Sequence, residues 1–516
     1  RADVWVDGQH VAFHEGGHTP FSADITAALR PGQVHTLVVR AEDDPQDIAQ
    51  PRGKQDWRPE PHAIWYHRTT GIWQPVWIEV VGAAHIVDIR WTPDLTRNVL
   101  GLTVSLKRGG DATVRARIQL SLHGTQFADD LCLVPGTSLH REFAVDHATL
   151  GLERQQVQWS PEHPNLIEAE ISLVTADGVS DAVRSYAGLR SVGVSHGRFW
   201  LNHSPLFLRL ALEQGYWPDT HLAAPSDSAL REEVELAKAL GFNGVRVHQK
   251  VEDPRFLYWC DRLGLLVWGE MPSVFVYTRE AIERFTREWI DVLHRDVSHP
   301  CIIAWVPLNE SWGVPNLLND PAQRSYARAL YHLTHALDAT RPVIGNDGWE
   351  LMDSDIHAVH DYTFDGRALR ERYGTQEAVE HTLRHVQPQH HVILLPEAGR
   401  TDQPVMITEF GGLSFRPDQG TAWFGYGTVR TPEEFEAKYA ELVTAIVDSR
   451  SVAGFCYTQL TDTLQETNGL LTERRVPKID AAVLRAITER VASATPGDAV
   501  DTLRMDAVTA DKAAGE

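Results

Sequence analysis

The stretch that decides the fold is GFNGVRVHQKVEDPRFLYWCDRLGLLVWGE, residues 241–270. Its short apolar run GVRV is followed by Asp253 and Pro254, a typical helix start, because aspartate caps free backbone amides and proline fits the first helical turn. Gly264 ends this helix, and the next apolar run, Leu265–Gly269, begins at once. The stretch therefore predicts a strand, a helix and a second strand, the unit from which parallel sheets are built.

The same alternation of short apolar runs and longer amphipathic segments extends from about residue 200 towards the C-terminus. Eight such units over roughly 290 residues is the size of an (α/β)8 TIM barrel. The runs predicted to be its strands are Leu206–Leu212, Gly244–Val247, Leu265–Gly269, Ile302–Leu308, Val343–Gly345, Ile356–His360, Val405–Thr408 and Ala453–Thr458.

Residues 1–190 show a different pattern, which predicts antiparallel β-structure. Apolar residues alternate with period two in 102–106 and 114–120, and Trp73–Val81 is rich in β-branched and aromatic residues. Helical periodicity is nearly absent, so two β-sandwiches of about a hundred residues each are expected. The chain opens within an apparent strand before the Asp7-Gly8 turn signal, which indicates a natural N-terminus further upstream.

The composition of the chain disfavours several classes of binding partner. The 48 Lys and Arg residues against 70 Asp and Glu residues give a formal charge of −22, which disfavours nucleic acid and anionic membrane surfaces. No apolar run approaches the roughly 18–20 residues of a membrane span. The cysteines form neither a C-x-x-C pair nor a disulfide framework, which favours reduced thiols in a cytoplasmic enzyme. They are Cys132, Cys260, Cys301 and Cys456.

Two glutamates close apolar runs of the predicted barrel. Glu310 follows strand 4 and Glu409 ends strand 7, and in a TIM barrel the C-terminal strand ends form the active site. These strands lie on opposite sides of the barrel, so the two carboxylates face one cavity. Glycoside hydrolysis needs such a pair, one to protonate the leaving oxygen and one to attack the anomeric carbon or activate water. The alternative for either residue alone is a structural ion pair.

At these residues the sequence resembles glycoside hydrolase family 2, the family of the β-galactosidases, β-glucuronidases and β-mannosidases. HPCIIAWVPLNESWG (299–313) is similar to its acid/base signature, and VMITEFGG (405–412) to its nucleophile strand. WSPEHPNL (159–166) resembles the strand that leaves its immunoglobulin-like domain. GHTPFSADIT (17–26) and RTTGIWQPVWIEVV (68–81) resemble its sugar-binding-like jelly-roll domain. The resemblance covers nearly the whole chain.

The resemblance implies a retaining exo-glycosidase with Glu310 as general acid/base and Glu409 as nucleophile. It also implies a multidomain fold of an N-terminal β-sandwich, an immunoglobulin-like β-sandwich and an (α/β)8 TIM barrel. The predicted domains are a partial jelly-roll (1–82), the immunoglobulin-like sandwich (83–194), the catalytic barrel (195–495) and a polar tail (496–516).

Further side chains are expected to bind the sugar. The resemblance places Asn309 on its 2-hydroxyl, and Arg246 and His248 in the pocket, although His248 follows Asn243 by five residues where the family has six. It places His360 and Tyr362 after strand 6, where the family has a tyrosine beside the nucleophile. Trp305 and Trp349 fit either sugar platforms or buried core.

Two departures from the family bear on the substrate. Glucuronidases carry Asn-x-Lys-Gly after strand 8, whereas this chain has Glu466-Thr467-Asn468-Gly469 without the lysine. After strand 1, LALEQGYWPD (210–219) lacks the Asn-Arg-His-Glu type stretch with which β-galactosidases assemble a magnesium site. The first departure predicts a neutral carbohydrate substrate, and the second argues against lactose-type activity and a required metal. Within these limits the resemblance still favours a β-galactosidase-like enzyme, with no cofactor and no metal.

Alternatives remain open at this point. The same fold could act on a β-mannoside, an α-L-arabinoside or a β-uronide, or serve as a non-catalytic carbohydrate-binding protein with a dead barrel. A metal-dependent hydrolase is a distant third, since no H-x-x-x-H lies at a strand end. The family resemblance also allows a homo-oligomer.

Overall fold

The computed structural model describes residues 1–110, 113–398, 402–415 and 425–495, so the predicted polar tail 496–516 lies outside the described residues. The N-terminal region begins with a three-stranded antiparallel sheet of order β2-β1-β3. Asp7 and Gly8 join its first two strands with positive φ angles of 47° and 83°, the backbone that the Asp-Gly signal predicts. The strands are β1 (Ala2–Val6), β2 (Gln9–His14) and β3 (Leu37–Ala41).

Residues 42–84 run without a named strand, and Trp73–Val81 is an irregular segment. Its side chains point largely to solvent, with Val76 and Trp77 each 66% exposed and Val80 fully exposed. A strand needs a hydrogen-bonded neighbour, and none is paired with this segment within the described residues. The β-type composition of this stretch therefore did not predict its structure.

Next comes a sandwich of two antiparallel sheets, with orders β4-β5-β8 and β10-β9-β6-β7. Buried and exposed side chains alternate along β6, so the period-two pattern places one face in a core between the sheets. The elements are β4 (His85–Asp94), β5 (Val99–Lys107), β6 (Val114–Leu122), β7 (Thr125–Val134), β8 (Ser138–Ala144), α1 (His147–Leu150), α2 (Arg154–Val157), β9 (Ile167–Thr175) and β10 (Gly178–Ala187).

A small antiparallel sheet leads into the barrel, made of β11 (Val192–Ser195), β12 (Arg198–Leu201) and β13 (Ser204–Leu206). Just before it, the buried Arg190 donates to the carbonyls of Pro300 and Ile302 at the start of a barrel strand. This contact fastens the exit of the sandwich to the barrel.

The C-terminal part is a curled parallel sheet of order β17-β16-β15-β14-β22-β19-β18, surrounded by helices. Its strands are β14 (Leu208–Glu213), β15 (Gly244–Val247), β16 (Leu266–Glu270), β17 (Ile302–Val306), β18 (His357–His360), β19 (Val405–Gly411) and β22 (Val452–Thr458). Two short strands, β20 (Leu413–Phe415) and β21 (Gly427–Val429), pair outside it.

The helices follow the strands in the expected alternation. Asp253 accepts from the amide of Arg255, Pro254 opens the helix, and Gly264 ends it with φ of 74°, as the opening stretch predicts. The helices are α3 (Asp227–Ala239), α4 (Pro254–Leu263), α5 (Arg279–Asp296), α6 (Pro321–Leu337), α7 (Gly366–Tyr373), α8 (Gln376–His385), α9 (Pro432–Val447) and α10 (Ala481–Thr488).

The fifth barrel position differs from the prediction, because Val343–Gly345 is not a strand. The segment makes two isolated parallel bridges, Trp305 with Val343 and Asn309 with Asp347. The Ile344 amide still donates to the Trp305 carbonyl at 2.9 Å. The amides of Val343 and Gly345 donate to side chains instead, to the Asp355 carboxylate and the Ser354 hydroxyl. No helix separates this position from β18, since residues 349–356 form a loop.

The predicted fold class, two β-sandwich regions followed by a TIM barrel, is confirmed. The exact domain boundaries stay predictions. The four cysteines are free thiols. Across the described part of the chain, no helix combines the length and apolarity that a membrane crossing requires.

Candidate active site

Glu310 and Glu409 meet at the C-terminal mouth of the barrel. Glu409 lies within β19, and Glu310 lies in a turn four residues beyond β17. One carboxylate oxygen of each glutamate and one ring nitrogen of His360 all lie within 4.8 Å of one another. The structure therefore brings the two carboxylates that were predicted from the strand ends into a single cavity.

The turn that carries Glu310 has an unusual backbone. Glu310 and Ser311 have positive φ angles of 52° and 58°, which cost roughly 1–3 kcal/mol each in a residue other than glycine. Surrounding groups hold the turn: the Glu310 amide donates to the Asp347 carbonyl at 2.8 Å, and the Ser311 amide donates to Asn346 Oδ1 at 3.0 Å. The Ser311 hydroxyl donates to Glu350 at 2.6 Å. These contacts fix where the Glu310 carboxylate points.

Arg246, at β15, is the central cation of the site. Its fully buried guanidinium donates to Glu409 Oε1 at 3.0 Å, to Glu270 Oε2 at 2.8 Å and to Asn309 Oδ1 at 2.6 Å, and its Nε lies 3.2 Å from Asp347 Oδ2. Burial disfavours the charge, but the carboxylates outweigh it and raise the pKa of Arg246 well above its usual value. The guanidinium therefore stays charged and sets the position of Glu409.

His360, at the end of β18, connects the two glutamates. Its Nδ1 lies 2.8 Å from Glu310 Oε1, and its Nε2 lies 3.1 Å from Asp347 Oδ1 and 3.4 Å from Glu409 Oε1. Burial alone would lower the pKa of His360, but the Glu409 charge and hydrogen bonds to Asp347 and Glu310 raise it to about 10. The imidazole is therefore protonated at neutral pH.

Glu409 is held as a carboxylate. Burial works against its charge, but His360 and Arg246, helped by His248 and the Tyr362 hydroxyl, lower the pKa of Glu409 to about 2. Tyr362 donates to Glu409 Oε2 and lies 3.2 Å from the Thr458 hydroxyl. An ionised, fixed carboxylate is the form that a nucleophile requires.

The structure also brings Asn309 and His248 to the site. Asn309 is fully buried, and its Nδ2 has no hydrogen-bond partner within the described residues, so this donor is free for a ligand. His248 Nδ1 lies 3.1 Å from Glu270 Oε1 and 4.0 Å from Glu409 Oε1. The one-residue difference in spacing therefore does not remove His248 from the pocket.

The two tryptophans proposed as sugar platforms lie in different places. Trp305 is fully buried between strand and helix, where it packs edge-on against Trp289 and donates to Asp338 at 2.8 Å. This placement corrects the platform expectation for Trp305, because its ring faces the helical layer. Trp349 lies beside the site, edge-on to His360 at 5.6 Å and stacked on His391 at 3.9 Å.

A polar wall lines the side of the mouth formed by the ends of β14 and β22. Gln214 Nε2 donates to Gln459 Oε1 at 2.7 Å, yet Gln214 Oε1, Gln459 Nε2 and Asn468 Oδ1 have no hydrogen-bond partner in the described part of the chain. Buried amide atoms without partners are costly unless a ligand or water satisfies them. This wall is therefore suited to binding the hydroxyl groups of a sugar.

Glu466 completes this wall. Its buried carboxylate accepts from the Tyr66 hydroxyl and lies 3.8 Å from the Lys54 ammonium. Burial raises the pKa of Tyr426 well above its usual value, and the charges of Glu466, Glu310 and Glu409 add to the effect. The Tyr426 ring stacks on Tyr362 at 3.5 Å.

Sequence reasoning missed several of these residues. Glu270 and Asp347 could have been found, since each follows a run identified as a strand and the strand-end rule was applied only to Glu310 and Glu409. Lys54 and Tyr66 carry no local signal, because they reach the barrel from the N-terminal region through long-range packing.

Among the described residues, two groups of side chains have the spacing to share a cation. One is Glu310, His360 and Glu409. The other is Asp261, His299 and Cys301, where both Asp261 oxygens already accept hydrogen bonds, one from the Cys301 amide and one from His299 and Tyr186.

A TIM barrel whose mouth holds a close pair of glutamates is typical of glycoside hydrolases. Residues 192–492 match the family model described as "Glycosyl hydrolases family 2, TIM barrel domain", and residues 84–190 match "Glycosyl hydrolases family 2". The chain belongs to glycoside hydrolase family 2, as its sequence motifs indicated.

Known glycosidases resemble the chain in sequence, and a solved glycosidase structure resembles it in fold. A β-galactosidase of Thermoanaerobacter pseudethanolicus is 27% identical over 375 residues, covering 71% of this chain and 48% of that protein, so the chain spans about half of its length. The β-glucuronidase of Mus musculus is 23% identical, covering 96% of this chain and 78% of that protein. A crystal structure of a β-galacturonidase from Eisenbergiella tayi shares the fold, with a TM-score of 0.72 and 20% identity over 95% of this chain and 85% of that one.

Proposed function

We propose that this protein is a retaining exo-glycosidase that hydrolyses terminal neutral glycosides, with a β-galactoside-like substrate favoured. The observation that carries the proposal is the pair of glutamates with carboxylate oxygens within 4.8 Å. One member is locked as a carboxylate by Arg246 and His360, and the other has a more exposed side chain, 17% against 6%. A barrel without catalytic activity would not need both glutamates.

The spacing supports retention. In retaining enzymes the two carboxyl groups are roughly 5–5.5 Å apart, whereas inverting enzymes keep about 6.5–9.5 Å to fit a water between sugar and base. One oxygen of Glu310 lies within 4.8 Å of one oxygen of Glu409, which favours the shorter, retaining separation.

The reaction proceeds in two displacements. Glu409 attacks the anomeric carbon while the bond to the leaving oxygen breaks and Glu310 gives that oxygen its proton, so an alcohol departs and a glycosyl ester forms on Glu409. Water then gives a proton to Glu310 and adds to the anomeric carbon, and Glu409 leaves as a carboxylate. The free Asn309 Nδ2 is placed to hydrogen-bond the sugar beside Glu409, a contact that we assign to the 2-hydroxyl.

The polar wall supports a neutral sugar. Unpartnered amide atoms of Gln214, Gln459 and Asn468 match hydroxyl groups, and the Lys54–Glu466 pair offers a uronic acid no net positive charge. The observation that favours a uronide instead is the buried Lys54 ammonium, which has the charge to bind a carboxylate. In the structure Lys54 lies beside Glu466, which offsets that charge.

A panel of nitrophenyl glycosides tests the proposal, with neutral sugars and both uronides compared at equal concentration. We expect the highest kcat/KM on a neutral sugar and the β-anomer as the first product by NMR, with the Glu409→Ala variant inactive throughout. Faster hydrolysis of a β-uronide would overturn the neutral specificity. Sugar binding in calorimetry without hydrolysis of any substrate would identify a carbohydrate-binding protein instead.

A further inference from the structure

Four half-buried aromatic rings form a continuous surface beside Glu310, here called the aromatic wall: Trp57, Trp65, Phe275 and Trp312. Trp65 lies 5.0 Å from Trp57 and, nearly parallel at 25°, 6.2 Å from Trp312, measured between ring centroids. Phe275 lies 5.4 Å from Trp312 and 5.8 Å from Trp57. No step of the proposed hydrolysis uses these rings.

The aromatic wall lies over the barrel mouth. Trp312 belongs to the same left-handed turn as Glu310, and its amide donates to the Asn309 carbonyl at 2.9 Å. On the other side, Gln465 Nε2 donates to the carbonyl of Trp65 at 2.7 Å, and the neighbouring Tyr66 donates to Glu466. The wall therefore spans the opening from the candidate acid to the polar wall.

The segment that supplies two of these rings is anchored to the barrel. The Phe275 amide donates to the Ile48 carbonyl at 2.9 Å, and the amides of Arg52 and Gly53 both donate to the Ser273 carbonyl. Gly53 has φ of 57°, and a Cβ there would lie 2.1 Å from the Gln249 carbonyl oxygen, so the backbones are in close contact. Trp57 and Trp65 are therefore placed rigidly and not on a loose loop.

Position and chemistry together define a role. A general acid gives its proton to the leaving oxygen, so the departing group lies on the Glu310 side of the cavity, which is also the more exposed side. Aromatic faces bind flat apolar surfaces by stacking. We propose that the aromatic wall binds the departing group, and that the natural substrate carries there a ring with a flat apolar face. This inference rests on the proposed hydrolysis.

Trp65→Leu and Trp312→Leu test it, with Trp77→Leu as the matched control. Trp77 belongs to the same N-terminal region, is 66% exposed and donates only to Glu79. Each variant is assayed on three substrates of the sugar that the wild type prefers: the glycosyl fluoride, which has no ring to stack, the 4-nitrophenyl glycoside and a disaccharide. We expect kcat/KM to fall about tenfold on one or both ring-bearing substrates and less than about twofold on the fluoride.

The pattern across substrates decides the outcome. A larger loss on the nitrophenyl glycoside identifies an aryl group, and a larger loss on the disaccharide identifies a second sugar. Equal losses on all three substrates, or losses shared by Trp77→Leu, would show a structural role and overturn the inference. If the wild type hydrolyses none of them, the proposed function fails. Quenching of tryptophan fluorescence by 4-nitrophenol, weaker in Trp65→Leu, would then still support the wall as a ring-binding surface, and its absence would refute it.

Discussion

The two glutamates share one cavity but have very different surroundings. Glu409 lies in β19 among the charges of Arg246 and His360, with a tyrosine hydroxyl on its second oxygen. Glu310 lies in a loop turn, more exposed, with His360 as its hydrogen-bonded partner and aromatic rings beyond it. The surroundings of Glu409 stabilise a permanent carboxylate. The surroundings of Glu310 leave its carboxyl group open to the leaving group and to water.

This difference shows how two identical side chains acquire two roles. Positive charges on fixed strands keep Glu409 ionised, so it can attack carbon. Glu310 lies in a turn with left-handed backbone and has a more exposed side chain, so it is open to a departing group. The role of each carboxylate follows from its environment, and mutations can test each assigned role.

The largest expected effect comes from removing each carboxylate in turn. In Glu409→Ala no glycosyl ester can form, so activity should fall on the order of 10⁴-fold or more on every substrate. In Glu310→Ala the first step should survive on a dinitrophenyl glycoside, because that leaving group hardly needs a proton, and the glycosyl-enzyme should accumulate. Steady-state rates and mass spectrometry of the intact protein measure both results.

Azide separates the two roles further. It needs no general base, so in Glu310→Ala it should attack the intermediate from the side of water and give the β-glycosyl azide from a β-glycoside. In Glu409→Ala it should occupy the emptied nucleophile space and give the α-anomer. Glu489→Ala, at the exposed residue that directly follows α10, is the control. The same anomer from both variants would contradict the assigned roles.

A smaller effect is expected on the pH dependence of stability when His360 is replaced. His360 contacts both Glu310 and Glu409. Its pKa of about 10 in the folded protein lies above the unfolded value of about 6.5, so the folded state binds an extra proton between these pH values. The stability that this proton provides is complete below pH about 6.5 and is lost as pH rises through 10. The difference in unfolding free energy between wild type and His360→Asn should therefore shrink by up to about 4 kcal/mol across this range.

Urea unfolding at several pH values measures this difference, and His294→Asn, on the exposed face of α5, controls for the loss of a histidine. Loss of the His360 charge should also raise the pKa of Glu409 above about 2 and move the acid limb of kcat/KM to higher pH. A stability difference that stays constant from pH 6 to 10 would show that His360 is uncharged, and the coupling between the glutamates would fail with it.

The barrel was predictable because its signals are local. Asp253 and Pro254 mark the start of α4 and Gly264 marks its end. Of the eight apolar runs predicted to be strands, seven form strands of the parallel sheet. Val343–Gly345 carried the same apolar signal but forms isolated bridges only, because Asp355 and Ser354 take the amides of Val343 and Gly345. That replacement depends on side chains twelve and nine residues away and leaves no local pattern.

The site was predictable in part for the same reason. Glu310 and Glu409 lie at strand ends, so their position identifies them, and Arg246 follows from the family resemblance. Trp305 lies equally close to a motif, but the direction of its ring depends on packing against Trp289, which no spacing reveals. Lys54 reaches Glu466 across more than four hundred residues of sequence, and only the folded structure shows that contact.

The smallest expected effect tests the charge of the polar wall. Glu466→Gln removes the carboxylate that pairs with Lys54 and frees the Lys54 ammonium, which lies 3.8 Å away, to bind a uronic acid. The ratio of kcat/KM for a β-uronide to that for the preferred neutral glycoside should rise about tenfold, and less at high salt, because the altered interaction is electrostatic. Glu489→Gln should leave the ratio unchanged. Adding Lys54→Met to Glu466→Gln should remove most of the gain if the freed ammonium binds the uronide carboxylate. A ratio that does not rise in Glu466→Gln would mean that Glu466 does not face the sugar. The charge of Glu466 would then no longer support a neutral substrate.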